Sequence, residues 1–217
     1  MVVTYPLKLK KDRELPAGEQ RVMFNHLSWQ DYQVILSAVG ENRSARLTYD
    51  RGRLEITMPL EAHEFASEMI ALFIRILVEE LGLQLKSMGS TTLSYSQADR
   101  GAEPDKGFYI QNYSLVAGRE VDLEKDPPPD LVVEIDITHT DIDKLSLYAE
   151  MGIPEFWQFD GELLRIYTLK ANKYQESETS TTFPQIEKAQ LYAFLEESQH
   201  SEVAASRTLR QWVRDRV

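Results

Sequence analysis

The sequence predicts an α/β fold in which helices flank a central mixed β-sheet, and three observations carry that prediction. The first is the stretch Leu131-Val132-Val133-Glu134-Ile135-Asp136-Ile137, aliphatic and β-branched, bounded on its N-terminal side by Pro127-Pro128-Pro129-Asp130; it reads as a strand running to Thr138. The second is the segment from Pro59 to Gly82, where Phe65, Met69, Leu72, Phe73, Ile76 and Leu77 recur every three or four residues and form one packing face of a long helix. The third is the order of elements through the centre of the chain, helix, strand, strand, strand, helix, strand, which suits a mixed sheet covered by helices.

Residues 1 to about 20 read as a loosely structured lead-in of mixed charge. Ser28 then caps a helix, with Asp31 three residues on in capping-box fashion and Gly40 as its stop. Arg46 to Asp50 and Arg53 to Thr57 flank Arg51-Gly52, a hairpin signal. After the long helix, Gln84 to Met88 and Thr91 to Ser96 are β-prone around Gly89-Ser90. Glu103-Pro104-Asp105 leads a further strand to Ile110. A polar loop from Val116 to Pro129 precedes the acidic strand. Thr140 is expected to cap the next helix, with Asp141 and Asp143 in its first turn and Gly152 and Pro154 ending it. Pro154 to Phe159 and Glu162 to Leu169 are strands joined at Asp160-Gly161, and Gln190 to Glu197 and Val203 to Arg216 are helices. These divide into an N-terminal helix and hairpin (1–58), an α/β core (59–170) and a C-terminal extension (171–217), expected to form one structural domain.

Composition narrows the chemistry. A chain of 217 residues with 42% hydrophobic and 27% charged residues is globular in character. It has no cysteine, which excludes disulfides and thiolate metal sites, leaves oxygen and imidazole ligands, and fits a reducing cytoplasm. The N-terminus lacks the apolar run of a signal peptide. The most apolar window, Met69 to Val78, is too short for a membrane span and is broken by Arg75. A net charge of −11 opposes indiscriminate nucleic-acid binding, although it is compatible with a nuclease whose acids collect divalent cations. Arg207, Arg210, Arg214 and Arg216 lie near helical spacing with Trp212, as on a solvated amphipathic helix.

The acidic strand carries the functional argument. Alternation puts Leu131, Val133, Ile135 and Ile137 on one face and Asp130, Val132, Glu134 and Asp136 on the other. Carboxylates two apart on a strand, about 6.6 Å, repel by roughly 2.5 kcal/mol at an effective dielectric of about 20. A buried strand keeps such a face only with a cation, a proton or a lysine to offset it; an edge strand keeps it in water. Leu131-Val132-Val133-Glu134-Ile135 is apolar almost throughout, as centrally placed strands are, which favours the buried reading. Asp105, 29 positions before Glu134, sits on a strand that a hairpin-like pairing brings alongside. Lys144 follows in the first turn of the next helix, where the dipole disfavours a cation. A lysine over two metal-binding carboxylates can orient or deprotonate a water for attack on phosphorus; the bland alternative is a surface lysine paired with Asp141 or Asp143. Glu64, near the start of the long helix, shares its polar side with Glu68 and Arg75 and is either solvated or a site contributor. His63 beside it is either a packing residue or a site residue.

Glu103-Pro104-Asp105, the block Pro129-Asp130-Leu131-Val132-Val133-Glu134-Ile135, and Lys144, Tyr148 and Gly152-Ile153-Pro154-Glu155-Phe156-Trp157 resemble the Uma-two family of restriction-endonuclease-like proteins, within the PD-(D/E)xK nuclease superfamily. The resemblance spans roughly residues 20 to 170. It implies a restriction-endonuclease-like core and a Mg²⁺-dependent endonuclease, with Mn²⁺ as a substitute, acting on DNA. It also implies Asp105 and Glu134 as catalytic metal ligands and Glu64 as the acid offered by the preceding helix. The superfamily's lysine normally stands two after the second acid; Asp136 is there instead, so the resemblance implies that Lys144 replaces it, and Asp136 is either a further metal ligand or a sign of altered chemistry. Asp130 either belongs to that block functionally or caps the loop after the prolines. A homodimer is the expected assembly. The alternative reading is an inactive nuclease-fold scaffold or regulatory module that assembles through the apolar strand and the Trp157 region; a glycosidase using paired acids is a distant third.

Overall fold

The structure, a computed structural model, describes residues 20–40, 45–137 and 140–216. The expected lead-in over residues 1–19 and the expected end of the acidic strand at Thr138 lie outside the described residues.

Two sheets organise the chain. The first contains β1 (Gln20–Phe24), β2 (Arg46–Asp50), β3 (Arg53–Met58), β5 (Leu93–Tyr95) and β6 (Arg100–Ala102), in the order β1-β3-β2-β6-β5. The second contains β4 (Lys86–Gly89), β7 (Lys106–Tyr109), β8 (Leu131–Ile135), β9 (Glu155–Phe159), β10 (Leu164–Lys170) and β11 (Lys173–Ser177), in the order β11-β10-β9-β8-β7-β4. Six helices complete the described chain: α1 (Trp29–Val39), α2 (Glu61–Glu80), the short α3 (Tyr113–Val116), α4 (Lys144–Glu150), α5 (Lys188–Ser198) and α6 (Glu202–Arg214). Within the second sheet the order α2, β4, β7, β8, α4, β9 reproduces the predicted helix, strand, strand, strand, helix, strand. β8 pairs antiparallel with β7 and parallel with β9.

Local signals explain most elements. Ser28 and Asp31 form the full capping box of α1. β2 and β3 form the expected hairpin, with Arg51 and Gly52 at φ 44° and 91°, as a primed two-residue turn requires. Gly152, at φ 73°, follows α4 as its left-handed stop. The cap of α4 differs from expectation. Asp143, not Thr140, accepts from Ser146 N–H, and Thr140 instead gives its hydroxyl to Glu55. Thr91 to Ser96 is a strand as predicted, but it leaves the sheet of its neighbours and, with β6, joins the N-terminal hairpin. That placement is set by packing on α1: a Cβ on Gly101 of β6 would lie 2.6 Å from Tyr32 Oη, so the glycine admits the close approach of strand to helix. Tyr32 in turn stacks on Tyr49, ring centroids 4.9 Å apart.

The six-stranded sheet is covered on both faces. Leu131, Val133 and Ile135 pack with α2, α5 and α6, the largest apolar cluster, whereas Val132 and Phe156 pack with Leu147 and Tyr148 of α4 on the opposite face. The acidic strand is therefore central and buried, and the solvated-edge reading of it fails. Trp157 is buried as well, so the apolar strand and Trp157 do not form an assembly surface as the scaffold alternative supposed. The C-terminal extension wraps α2, with Arg210 and Arg214 paired to Glu80, and Arg216 stacks 4.1 Å over the Trp212 ring. Among the described residues no helix is long and apolar enough to cross a membrane.

Candidate active site

The antiparallel register pairs Lys106 with Val133 and Gly107 with Val132. Carried one step further, it sets Asp105 directly across from Glu134, and the contacts agree: Ile135 N–H donates to Asp105 Oδ2 at 2.7 Å. Opposite residues on an antiparallel pair have Cβ atoms about 5 Å apart. Asp105 and Glu134 are 2% and 4% exposed. Their mutual repulsion therefore acts in a medium that screens it poorly.

Helix α4 supplies the offset. Lys144 and Tyr148 are four apart, on one face of the helix, and that face looks onto Glu134. Lys144 Nζ donates to Glu134 Oε2 at 2.9 Å and also to Asp136 Oδ1, while Tyr148 Oη donates to Glu134 Oε1. Gln158, beside Glu134 on the parallel strand β9, donates to Asp136 Oδ2 at 2.9 Å. Lys144 is thus a buried member of an acidic network, not a surface partner of Asp141 or Asp143. A cavity of about 370 Å³ opens where Asp136, Lys144 and Gln158 meet Thr140, Asp160 and Arg165.

Two further groups come from outside the core sheet. His63 of α2, 4% exposed, has Nε2 3.1 Å from Asp105 Oδ2. Arg46 of β2 donates from one guanidinium nitrogen to Glu64 Oε1 at 2.8 Å and has the other 3.1 Å from Asp105 Oδ1. Glu64 itself is 45% exposed and meets the buried acids through Arg46. The structure accordingly brings Asp105, Glu134, Asp136 and Lys144 into one network, with Glu64 at its margin.

Arg46 was not among the residues singled out from the sequence, because nothing local in β2 marks it; it arrives when the five-stranded sheet docks. Tyr148 was quoted in the resemblance without a role. A period-of-four pairing with Lys144 was the signal available for it. Asp130 is structural: its carboxylate accepts from Ile110 N–H at 2.7 Å, Asn112 N–H at 3.0 Å and the Asn112 amide at 2.6 Å, so it caps the turn after β7.

Burial and charge set the protonation of the site. Burial pushes the Glu134 carboxyl up; Lys144 opposes this, Asp105 and Asp136 add to it, and the outcome is about 7. Burial also penalises charge on Asp105, but His63, Arg46 and Lys144 outweigh it and hold that carboxyl below the usual range. Lys144 is held charged: burial disfavours its ammonium, and the carboxylates of Glu134, Asp136 and Asp105 more than restore it. Two adjacent carboxyls with opposite displacements are a common mark of a functional site.

The donor set suits a hard divalent cation, which takes carboxylate oxygens and retains waters. Asp105 Oδ1 is buried yet makes no hydrogen bond. Once Glu134 is ionised, Asp105, Glu134, Asp136 and Glu64 outnumber the permanently charged Arg46 and Lys144 by two negative charges. Among the described residues, however, no group of three or more His, Asp or Glu side chains forms a ready cage.

No curated protein matches the chain. A crystal structure of "a putative nuclease belonging to DUF820" from Anabaena variabilis ATCC 29413 superposes with a TM-score of 0.51 at 18% identity, covering 78% of this chain and 99% of that one, a likeness of fold. The Uma2 family, described as "Putative restriction endonuclease", matches residues 29–212, most of the sequence. The chain belongs to the Uma2 family, on a restriction-endonuclease-like α/β core.

Proposed function

We propose that the protein is a Mg²⁺-dependent endonuclease that hydrolyses DNA phosphodiester bonds, with Mn²⁺ able to substitute. The observation that carries the proposal is the buried convergence of Asp105, Glu134 and the Lys144 ammonium at the junction of β7, β8 and α4. The family description and the structural neighbour, itself described as a nuclease, support the reaction class.

Asp105 and Glu134 would hold the cation through their carboxylate oxygens, with Asp136 beside them. A bound divalent ion lowers the pKa of a coordinated water and offsets charge developing on the phosphate. Lys144 stays protonated among its acids, so it acts as a donor that orients water and phosphate oxygens, not as a base. Tyr148 holds the second Glu134 oxygen and fixes the carboxylate plane. Asp105 is kept ionised by His63 and Arg46, ready to ligate.

The test is supercoiled plasmid incubated with protein and Mg²⁺ or Mn²⁺, beside Lys144→Ala and Asp105→Asn. Metal-dependent nicking by the wild type and its loss in both variants is expected; equal nicking by all three, or none under any condition, refutes the proposal.

One observation favours a second reading, a nuclease-fold module without activity. The two acids already have partners within the chain, Arg46 and His63 on Asp105 and Lys144 on Glu134, and Asp136 stands where the superfamily usually has lysine. Calorimetric titration separates the two, since the inactive module takes up no Mg²⁺ or Mn²⁺.

A further inference from the structure

Arg46 reaches the acidic site from the five-stranded sheet, and its two contacts differ in kind. The one to Glu64 is a formed hydrogen bond of 2.8 Å. The one to Asp105 is a charge contact of 3.1 Å in which no hydrogen bond is made; Arg46 Nε, the contacting Arg46 nitrogen and Asp105 Oδ1 are all buried with their hydrogen-bonding capacity unmet. The other Asp105 oxygen is fixed by Ile135 N–H at 2.7 Å and by His63 at 3.1 Å. Buried polar groups with unmade bonds are costly, so they gain when a better partner arrives. The carboxylate oxygen that a cation would ligate is thus the one held by charge alone, without a hydrogen bond.

We propose that Arg46 is a displaceable counter-cation: it neutralises Asp105 while no divalent ion is bound, and it swings away about its Glu64 hydrogen bond when the ion ligates Asp105. This rests on the metal-dependent reading above. The guanidinium cannot lose its charge, so it can yield the position only by moving. Glu64, its other partner, is half-exposed and able to move outward with it, and β2 belongs to a sheet separate from the one that carries Asp105 and Glu134. Displaced, the guanidinium presents unused N–H donors of the kind that fork onto a phosphate. Arg46 is therefore a positioning residue that sets metal affinity, and an anionic substrate that engages the guanidinium raises that affinity in return.

The experiment is calorimetric titration of Mn²⁺ into wild type, Arg46→Gln, Arg46→Lys and Asp105→Asn, each verified as folded by circular dichroism. Even at the dielectric of water, charges of +1 and +2 about 6 Å apart repel by ~1.4 kcal/mol, so Arg46→Gln is expected to bind Mn²⁺ roughly tenfold more tightly. Arg46→Lys falls between, because a compact ammonium bridges the two acids poorly, and Asp105→Asn loses binding. Folded Arg46→Gln that binds no tighter than wild type, while Asp105→Asn still loses binding, overturns the role of Arg46 and leaves the metal site standing. Absence of Mn²⁺ binding to wild type overturns both. Should Arg46→Gln fail to fold, Arg46→Lys decides: affinity no higher than wild type overturns the proposal.

Discussion

Replacing Lys144 with methionine keeps the aliphatic stem and deletes the ammonium that touches both Glu134 and Asp136. The lysine is 8% exposed, so water does not take its place. Removing one partner of a buried ion pair typically costs about 3–5 kcal/mol, and the two carboxylates left behind, whose oxygens sat 2.9 and 2.5 Å from the same ammonium and so lie within about 5.4 Å of each other, repel by roughly 3 kcal/mol at an effective dielectric of about 20. The cost depends on pH. Glu134 has its folded pKa raised from 4.5 to about 7, so folding favours its protonated form: that contribution is fully present below pH 4.5 and is lost as pH rises through about 7. In wild type this removes about 3 kcal/mol between the two limits. Without Lys144 the folded Glu134 pKa moves higher still, because the charge that opposed its rise is gone. Urea denaturation should therefore show a variant already weaker than wild type at pH 5, because the contact to Asp136 is lost, and weaker by about 1.4 kcal/mol more at pH 8, since the two proteins differ in bound protons only above about pH 7. An equal loss at both pH values, or a loss under about 1 kcal/mol at pH 8, would refute the idea that Lys144 offsets buried negative charge.

Gly101→Ala inserts a methyl 2.6 Å from Tyr32 Oη, against a ring already stacked on Tyr49. Overpacking of this kind costs roughly 1–3 kcal/mol, read as a lower Tm by calorimetry, and Tyr32→Leu in the same chain should recover part of it. Glu155→Gln breaks the carboxylate that accepts from Trp157 Nε1 at 2.6 Å, Thr182 N–H at 2.9 Å and Thr181 N–H at 3.0 Å. At least one buried donor then meets another donor, at a cost of about 2 kcal/mol or more. Trp157 fluorescence during urea denaturation reports the shift in midpoint, and an unchanged midpoint would show that the 180–182 segment is not anchored there.

Much of the chain was legible because its signals are local. The Ser28 and Asp31 capping box, the Arg51-Gly52 turn, the apolar stripe of α2 and the Gly152 stop each act within a few residues, and each reappears as the expected element. β1 and β11 escaped notice because they are short edge strands with no apolar face set against a polar one: β1 turns Val22 and Phe24 outward and Arg21 inward, and β11 is polar apart from Tyr174. Thr140 misled because a hydroxyl can cap a helix or bond a distant carboxylate with equal ease, and Glu55 lies within reach once the sheets pack.

What the amino-acid order determined alone was an alternating strand with acids on one side and aliphatics on the other, a lysine one helix start beyond it, and an aspartate on the preceding strand. Periodicity and chain connectivity suffice for that, since neighbours in sequence need no partner to choose a face. The apolar run of β8 and the pairing of its neighbour with it were legible too, and the sheet order agrees; tertiary structure alone decided that His63 sits on one Asp105 oxygen and Arg46 on the other, and that Glu64 reaches the acids through an arginine. These contacts join residues many positions apart, and the burial that gives their charges strength exists only after two sheets and a helix have closed around them.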